Sequence, residues 1–254
     1  MIADIGGPNP IVAVKKIGTL NEGSLHAALK TWYAEEGDRF EVPVEGFVAD
    51  IVRGDLIIEI QTGSASALRH KLKALLRRHP VRLALPVAGC KTIVQADGNG
   101  AITTRQSRKH GEWVDAVSRM VALREVLGDP NLSVDVVLIR EEEVRVPRSD
   151  RRRRRRAWTV YDRRLVEVFD SVTFDDPIDY LAFIPSELLE PFTTRMLAAT
   201  LGKPRRLAQQ VAYTLRHIGT IAPVGKRGNE ILYRRAFTDV SGDPDRPEAE
   251  ERVP

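Results

Sequence analysis

Two carboxylates and an amide interrupt an apolar run between Gly46 and Ser64, GFVADIVRGDLIIEIQTGS. If Gly54 and Asp55 form a two-residue hairpin loop, Arg53 pairs with Leu56 and Ile51 with Ile58, and Asp50 then faces Glu59 and Val48 faces Gln61. Side chains alternate along a strand, so Asp50, Glu59 and Gln61 are expected on one face of the sheet. Like charges directly opposite each other destabilise a sheet, and burying them without compensation costs several kcal/mol more. A divalent cation offsets both effects. Mg²⁺ is the hard ion that accepts one or two carboxylates and keeps waters for substrate phosphates. The competing reading is an edge pair turned to solvent, with Asp55 serving only the turn.

The elements that must hold these residues follow from periodicity. TLNEGSLHAALKTWYAEEG reads as a helix with Leu25, Ala28, Leu29, Trp32 and Tyr33 on one face and Gly37 at its end. Strand-like runs cover 40–44, 47–53 and 56–61; a second helix covers 64–78, burying Leu68, Leu72, Leu75 and Leu76; and VRLALPV at 81–87 is a buried parallel strand. A hairpin turning at Asp97–Gly100, a helix near 111–126 and a strand near 133–146 complete the first unit. The six arginines at 151–156 and the AWTVYDRRLVEVF stretch read as a basic linker entering a helix. The divisions expected are 1–147, the linker and connecting helix at 148–190, a basic module at 191–237 and an acidic tail at 238–254.

The order helix, three strands, helix, strand, with Asp50 on one strand and E59-I-Q61 on the next, resembles the PD-(D/E)XK nuclease superfamily of restriction endonucleases and Holliday-junction resolvases. The resemblance spans about residues 19–88. It implies an α/β (α+β) fold with a restriction-endonuclease-like αβββαβ core, and phosphodiester hydrolysis with Mg²⁺ or Mn²⁺. Asp50 and Glu59 would bind the metal, Gln61 would position water or phosphate, and Glu22 on the first helix would assist through a water or a second metal. Gln61 stands where the family has a lysine, so the motif is of the E-x-Q kind and lacks that positive charge. Lys71 or Lys73 on the next helix could substitute, against the simpler reading of solvated lysines. Thr19-x-x-Glu22 also reads as a capping box, in which Glu22 only closes the helix start. His26 suits a phosphate contact or ordinary packing.

The second module, TTRMLAATLGKPRRLAQQVAYTLRHIGTIAPVGKRGNEILYRR, resembles a winged helix-turn-helix. Leu197, Ala198 and Leu201 are expected to pack the first helix, and Leu207, Val211, Leu215 and Ile218 the second. Thr193 caps the first helix and Gly202 breaks it from the second. Residues 191–235 hold nine Lys or Arg against the single acid Glu230, the footprint of a polyanion partner. Lys203, Arg205, Arg206, Gln209 and Gln210 on the second helix and Lys226 and Arg227 on the wing are the expected DNA contacts.

The chain has 254 residues, a net charge of +4 and one cysteine, Cys90, which excludes an internal disulfide or a Cys-rich zinc site. No apolar run approaches a membrane span and the N-terminus lacks the pattern of a signal peptide, so the expected location is cytoplasmic, with DNA as partner, no membrane contact, and a homodimer left open. The rival to a nuclease is a DNA-binding regulator that keeps the nuclease-like fold as an inactive scaffold.

Overall fold

The computed structural model describes residues 23–66, 68–97, 101–147 and 158–236. Glu22 and Thr19, the expected capping box, the arginine run and the acidic tail lie outside the described residues. The chain divides into two units, residues 1–175 and 176–254.

In the first unit helix α1 (Ser24–Tyr33) leads into strands β1 (Arg39–Val44), β2 (Phe47–Arg53) and β3 (Leu56–Ile60), then helix α2 (Leu68–Leu75) and strand β4 (Val81–Ala96). β5 (Ile102–Gln106) folds back on β4. Short helical turns follow over Trp113–Ala116, α3 (Val117–Met120) and Val121–Leu123, before β6 (Leu132–Pro147) and β7 (Trp158–Phe174). The sheet is mixed, in the order β1-β2-β3-β4-β6-β7, with β5 beside the far end of β4. β1 to β3 form an antiparallel meander, whereas β3, β4 and β6 run parallel. The parallel strands are the most continuously apolar, as burial on both faces requires.

The β2–β3 hairpin has the register read from the sequence, Arg53 against Leu56 and Ile51 against Ile58. Gly54, at φ 55°, supplies the left-handed residue that this two-residue turn needs. Leu25 and Leu29 of α1 pack on Ile51, Ile58, Ile60, Ala84, Val137 and Ile139. Leu68, Leu72, Leu75 and Leu76 are buried, as expected of the second helix. Trp32 departs from the expected buried face: it is 48% exposed and meets Tyr33 edge-on.

Two further expectations are corrected. The helix near 111–126 is a chain of short turns. Its buried residues are Val114, Ala116, Val117, Met120, Leu123, Val126 and Leu127. The connecting helix expected within 148–190 is also replaced: Trp158–Phe174 is a 17-residue strand antiparallel to β6. Its Val, Thr and aromatic residues favour a strand, and it covers the otherwise open side of the apolar β6. The register against β6 skips Tyr161, Val166 and Phe169, three β-bulges that break the two-residue period of the sequence. The first unit therefore runs to Asp175.

One close approach gives a test of the packing beside β4. A Cβ on Gly111 would lie 2.6 Å from the Ala88 carbonyl oxygen and 2.8 Å from Val87 Cγ1. Gly111→Ala is expected to lower unfolding free energy by about 1–3 kcal/mol, measured by urea denaturation; an unchanged midpoint would mean that the loop does not sit against β4.

The second unit holds a 3₁₀ segment (Pro177–Phe183), helices α4 (Thr194–Leu201) and α5 (Arg205–His217), and the hairpin β8 (Ile221–Arg227) and β9 (Glu230–Arg235). Phe192 bridges to Tyr233 beside the hairpin. Thr193 Oγ1 accepts from Met196 N at 3.3 Å and Gly202 closes α4 in the left-handed region, both as expected. Leu197, Leu207, Val211 and Leu215 are buried with Tyr180, Phe183 and Phe192; Ala198, Leu201 and Ile218 are half-buried. No helix among the described residues is long and apolar enough to cross a membrane.

Candidate functional site

β2 and β3 part just beyond the Ile51–Ile58 pair, and the two carboxylates occupy the parting. Asp50 Oδ2 takes the Ile60 N–H at 2.8 Å, where a backbone carbonyl would otherwise continue the ladder, and lies 3.2 Å from His26 Nε2. Ile58 and Ile60 face α1, so Glu59 between them points to the α2 side. There its Oε2 meets the ammonium of Lys71, which also donates to the Val48 carbonyl at 2.6 Å. Glu59 is only 3% exposed, and its Oε1 has no hydrogen-bond partner.

The two acids titrate in opposite directions. Burial pushes Glu59 up to about 7, against the pull of Lys71 and with the help of the Asp50 charge. Burial also acts to raise Asp50, but the His26 hydrogen bond, the Ile60 N–H and the charges of His26 and Lys71 outweigh it and hold the group below the usual carboxylate range. Asp50 and Glu59 lie close enough for their charges to interact, but the ladder ends at Ile51–Ile58 and does not pair them as expected: Asp50 meets His26 of α1, whereas Glu59 meets Lys71 of α2. Much of the compensation they need comes from the protein's own Lys71 and His26. Each acid is the acceptor for buried or half-buried donors, so its removal leaves those donors unpaired.

Gln61 lies at the end of β3. Its amide donates to the Ser64 carbonyl at 3.0 Å, and its own carbonyl accepts from Arg119 at 3.0 Å. Lys73 is an exposed partner of Glu125. Lys71 is the residue that sequence reasoning undervalued. Its place beside Leu72, on the rim of the buried stripe of α2, is the signal that a long side chain could reach the sheet. Nothing in the sequence marked the half-buried Arg119.

In the second unit the positive charge is partly internal. Glu230 accepts from Arg195 at 3.0 Å and from Arg205 at 2.8 Å, tying the hairpin to both helices. Arg206 and Gln209 are exposed on α5 and Gln210 is half-buried. Lys203 stands between the helices. Lys226 and Arg227 are exposed at the end of the hairpin, and Arg227 reaches Met196 Sδ at 3.7 Å. Arg205, Gln209, Tyr213 and Arg216 line a cleft of about 310 Å³ against β9.

Residues 23–175 match the family described as "Domain of unknown function (DUF8091)", a span that ends with the first unit. A protein of Treponema pallidum (strain Nichols), named "Uncharacterized protein", is 33% identical over 222 residues, covering 86% of this chain and 87% of its own length. No solved structure matches the chain. The family match covers the whole sheet that carries Asp50 and Glu59 and the helix that carries Lys71, and the chain belongs to the DUF8091 family.

Proposed function

We propose that this protein is a Mg²⁺-dependent DNA endonuclease of the PD-(D/E)XK kind, with a restriction-endonuclease-like core in its first unit and a winged helix that brings it to DNA in its second. The observation that carries the reading is the convergence of Asp50, Glu59 and Lys71 where β2 and β3 part. The donor set suits a hard divalent cation: Asp50 uses one oxygen for both of its hydrogen bonds, and Glu59 keeps a buried oxygen without a partner. Among the described residues no third His, Cys, Asp or Glu completes a ligand group, so water and phosphate oxygens would fill the remaining positions. When bound, Mg²⁺ or Mn²⁺ would lower the pKa of attached water and offset charge developing on the phosphate.

The chain's own residues have distinct tasks in this reading. His26 and the Ile60 N–H hold Asp50 ionised and fixed in direction. Lys71 supplies the positive charge that Gln61 lacks, from a different element but against the same carboxylate. Gln61, anchored at the end of β3 by Arg119, orients water or phosphate with its amide. Glu22, outside the described residues, keeps its proposed assisting role. Purified full-length protein should nick plasmid or branched DNA with Mg²⁺ or Mn²⁺ and not with chelator; an intact substrate under both ions would remove the catalytic reading.

The order of two helices and a hairpin, with Lys203 and Arg206 near the start of α5 and Lys226 and Arg227 at the hairpin tip, supports the winged-helix assignment. Because Arg205 is paired with Glu230, Arg206 and Gln209 are the better candidates for base edges. Each cation that meets a phosphate releases condensed counterion, with a log–log salt slope of about −0.9 per contact. In the full chain, replacing Lys226 and Arg227 with alanine should make the salt dependence of duplex binding shallower by up to roughly two units, with sequence preference unchanged. An unaltered slope would place the hairpin away from DNA.

A DNA-binding regulator on an inactive scaffold is the second reading. It is favoured by one observation: Gln61 is turned into its own loop, and Glu59 is already neutralised by Lys71. An inactive parent together with an inactive, folded Gln61→Lys variant would select it.

A further inference from the structure

Beside the end of β3, the segment Thr62–Ser64, the middle of β4 and α3 enclose a cleft of about 480 Å³. Arg119 and Arg163 both line it. Arg119 is largely buried and its guanidinium is clamped by two carbonyls, Gln61 at 3.0 Å and Pro86. Neither bond neutralises its charge. Burial and the nearby Arg163 guanidinium, against the opposing pull of Glu141, lower its pKa to about 10. Arg163 stands opposite Glu143 in the β6–β7 register, yet Glu143 is taken by Lys91 at 2.7 Å and by Arg145. Among the described residues Arg163 has no carboxylate partner. Two acids also border the cleft, and both are engaged: Glu141 with Lys91 at 2.7 Å, and Asp115 with the Glu112 N–H at 2.8 Å. A smaller cleft shares Thr62, Leu25 and Arg163 with this one and reaches His26, the partner of Asp50.

We infer that this cleft is a phosphate-binding subsite, with the fixed Arg119 as its floor and the free Arg163 as the arm that closes on the anion. Two guanidinium groups held together in a partly dry cleft need a counter-charge, and a tetrahedral oxyanion satisfies both through charge-assisted hydrogen bonds. Thr62 and Ser64 also line the cleft. The bound group is either a terminal phosphate or a diester within a strand. The assignment adds a binding step to the proposed function and does not need cleavage.

The test uses the full chain in low salt with chelator present, so that neither metal nor hydrolysis enters. Inorganic phosphate and a 5′-phosphorylated dinucleotide are titrated calorimetrically into the parent, Arg163→Gln and Arg163→Lys. Arg163 is exposed, so these variants leave the core untouched. The parent is expected to bind both probes, Arg163→Gln about tenfold more weakly, and Arg163→Lys between the two. A preference for the phosphorylated dinucleotide over its 5′-hydroxyl form identifies a terminal phosphate; equal binding identifies a diester. No binding by the parent, or equal binding by parent and Arg163→Gln, overturns the subsite. Because the second unit is identical in all three proteins, phosphate held there cannot produce the difference. A failure here leaves the Mg²⁺-dependent nicking assay to be judged by itself.

Discussion

Asp50→Asn and Glu59→Gln are each expected to lower metal-dependent DNA cleavage at least about a hundredfold while leaving duplex affinity nearly unchanged. Residues that merely support metal ligands typically cost 10- to 100-fold when replaced, and a direct ligand costs no less. Single-turnover cleavage with Mn²⁺, read beside equilibrium DNA binding in the same buffer, separates the two effects. Both substitutions preserve shape, so the loss should come from the site and not from unfolding. Asp50→Ala is harsher: it strips the Ile60 N–H and His26 of their acceptor and is expected to cost about 1–3 kcal/mol of stability. Cleavage at the parental rate by both shape-preserving variants would show that the acids where β2 and β3 part are not the metal site.

Lys71→Met should give the largest loss of stability, about 3–5 kcal/mol at pH 8, because it leaves the buried Glu59 without its cation. The effect depends on pH in a defined direction. Glu59 in the folded parent is raised from 4.5 to about 7, so the folded state holds its proton more tightly than the unfolded state does. Its contribution is fully present below about pH 4.5 and is lost as pH rises toward 7, a change of roughly 3 kcal/mol. Asp50 works the other way: its depressed pKa contributes stability at neutral pH that is lost only in acid. Without Lys71 the pull that lowers the Glu59 pKa disappears, so the loss caused by Lys71→Met should be smaller at pH 5.5 than at pH 8. Urea denaturation of parent and variant at the two pH values decides it. Equal losses would mean that Glu59 is not the group Lys71 neutralises.

Much of the first unit was legible because its signals are local. The Gly54–Asp55 turn sets the register from Arg53–Leu56 to Ile51–Ile58, and the alternating and continuous apolar runs mark β2, β3, β4 and β6. In the second unit Thr193 and Gly202 bracket α4 as their chemistry requires. Elsewhere the sequence misled for physical reasons. β7 reads as a helix because three extra residues spoil its alternation and no single face is apolar. The segment after Gly111 is helical, but as successive short 3₁₀ and α turns, which the sequence pattern did not distinguish from one helix. The pairing of Lys71 with Glu59 depends on how α2 lies against the sheet, which no spacing within α2 reveals. Glu230, isolated among bases in the sequence, pins two of the arginines that appeared free for a ligand.

The bulges of β7 bear on how this protein behaves in a crowded solution. Among the described residues β7 is the last strand of its sheet, 17 residues long and apolar at several positions, the kind of border that recruits another chain and seeds aggregates. Tyr161, Val166 and Phe169, the residues skipped by the ladder, are 46%, 53% and 43% exposed. Each one resets the direction of the backbone's outward hydrogen-bonding groups, so an incoming strand finds a matching row for only a few residues before it falls out of step. The long border is thereby divided into pieces too short to propagate a growing sheet.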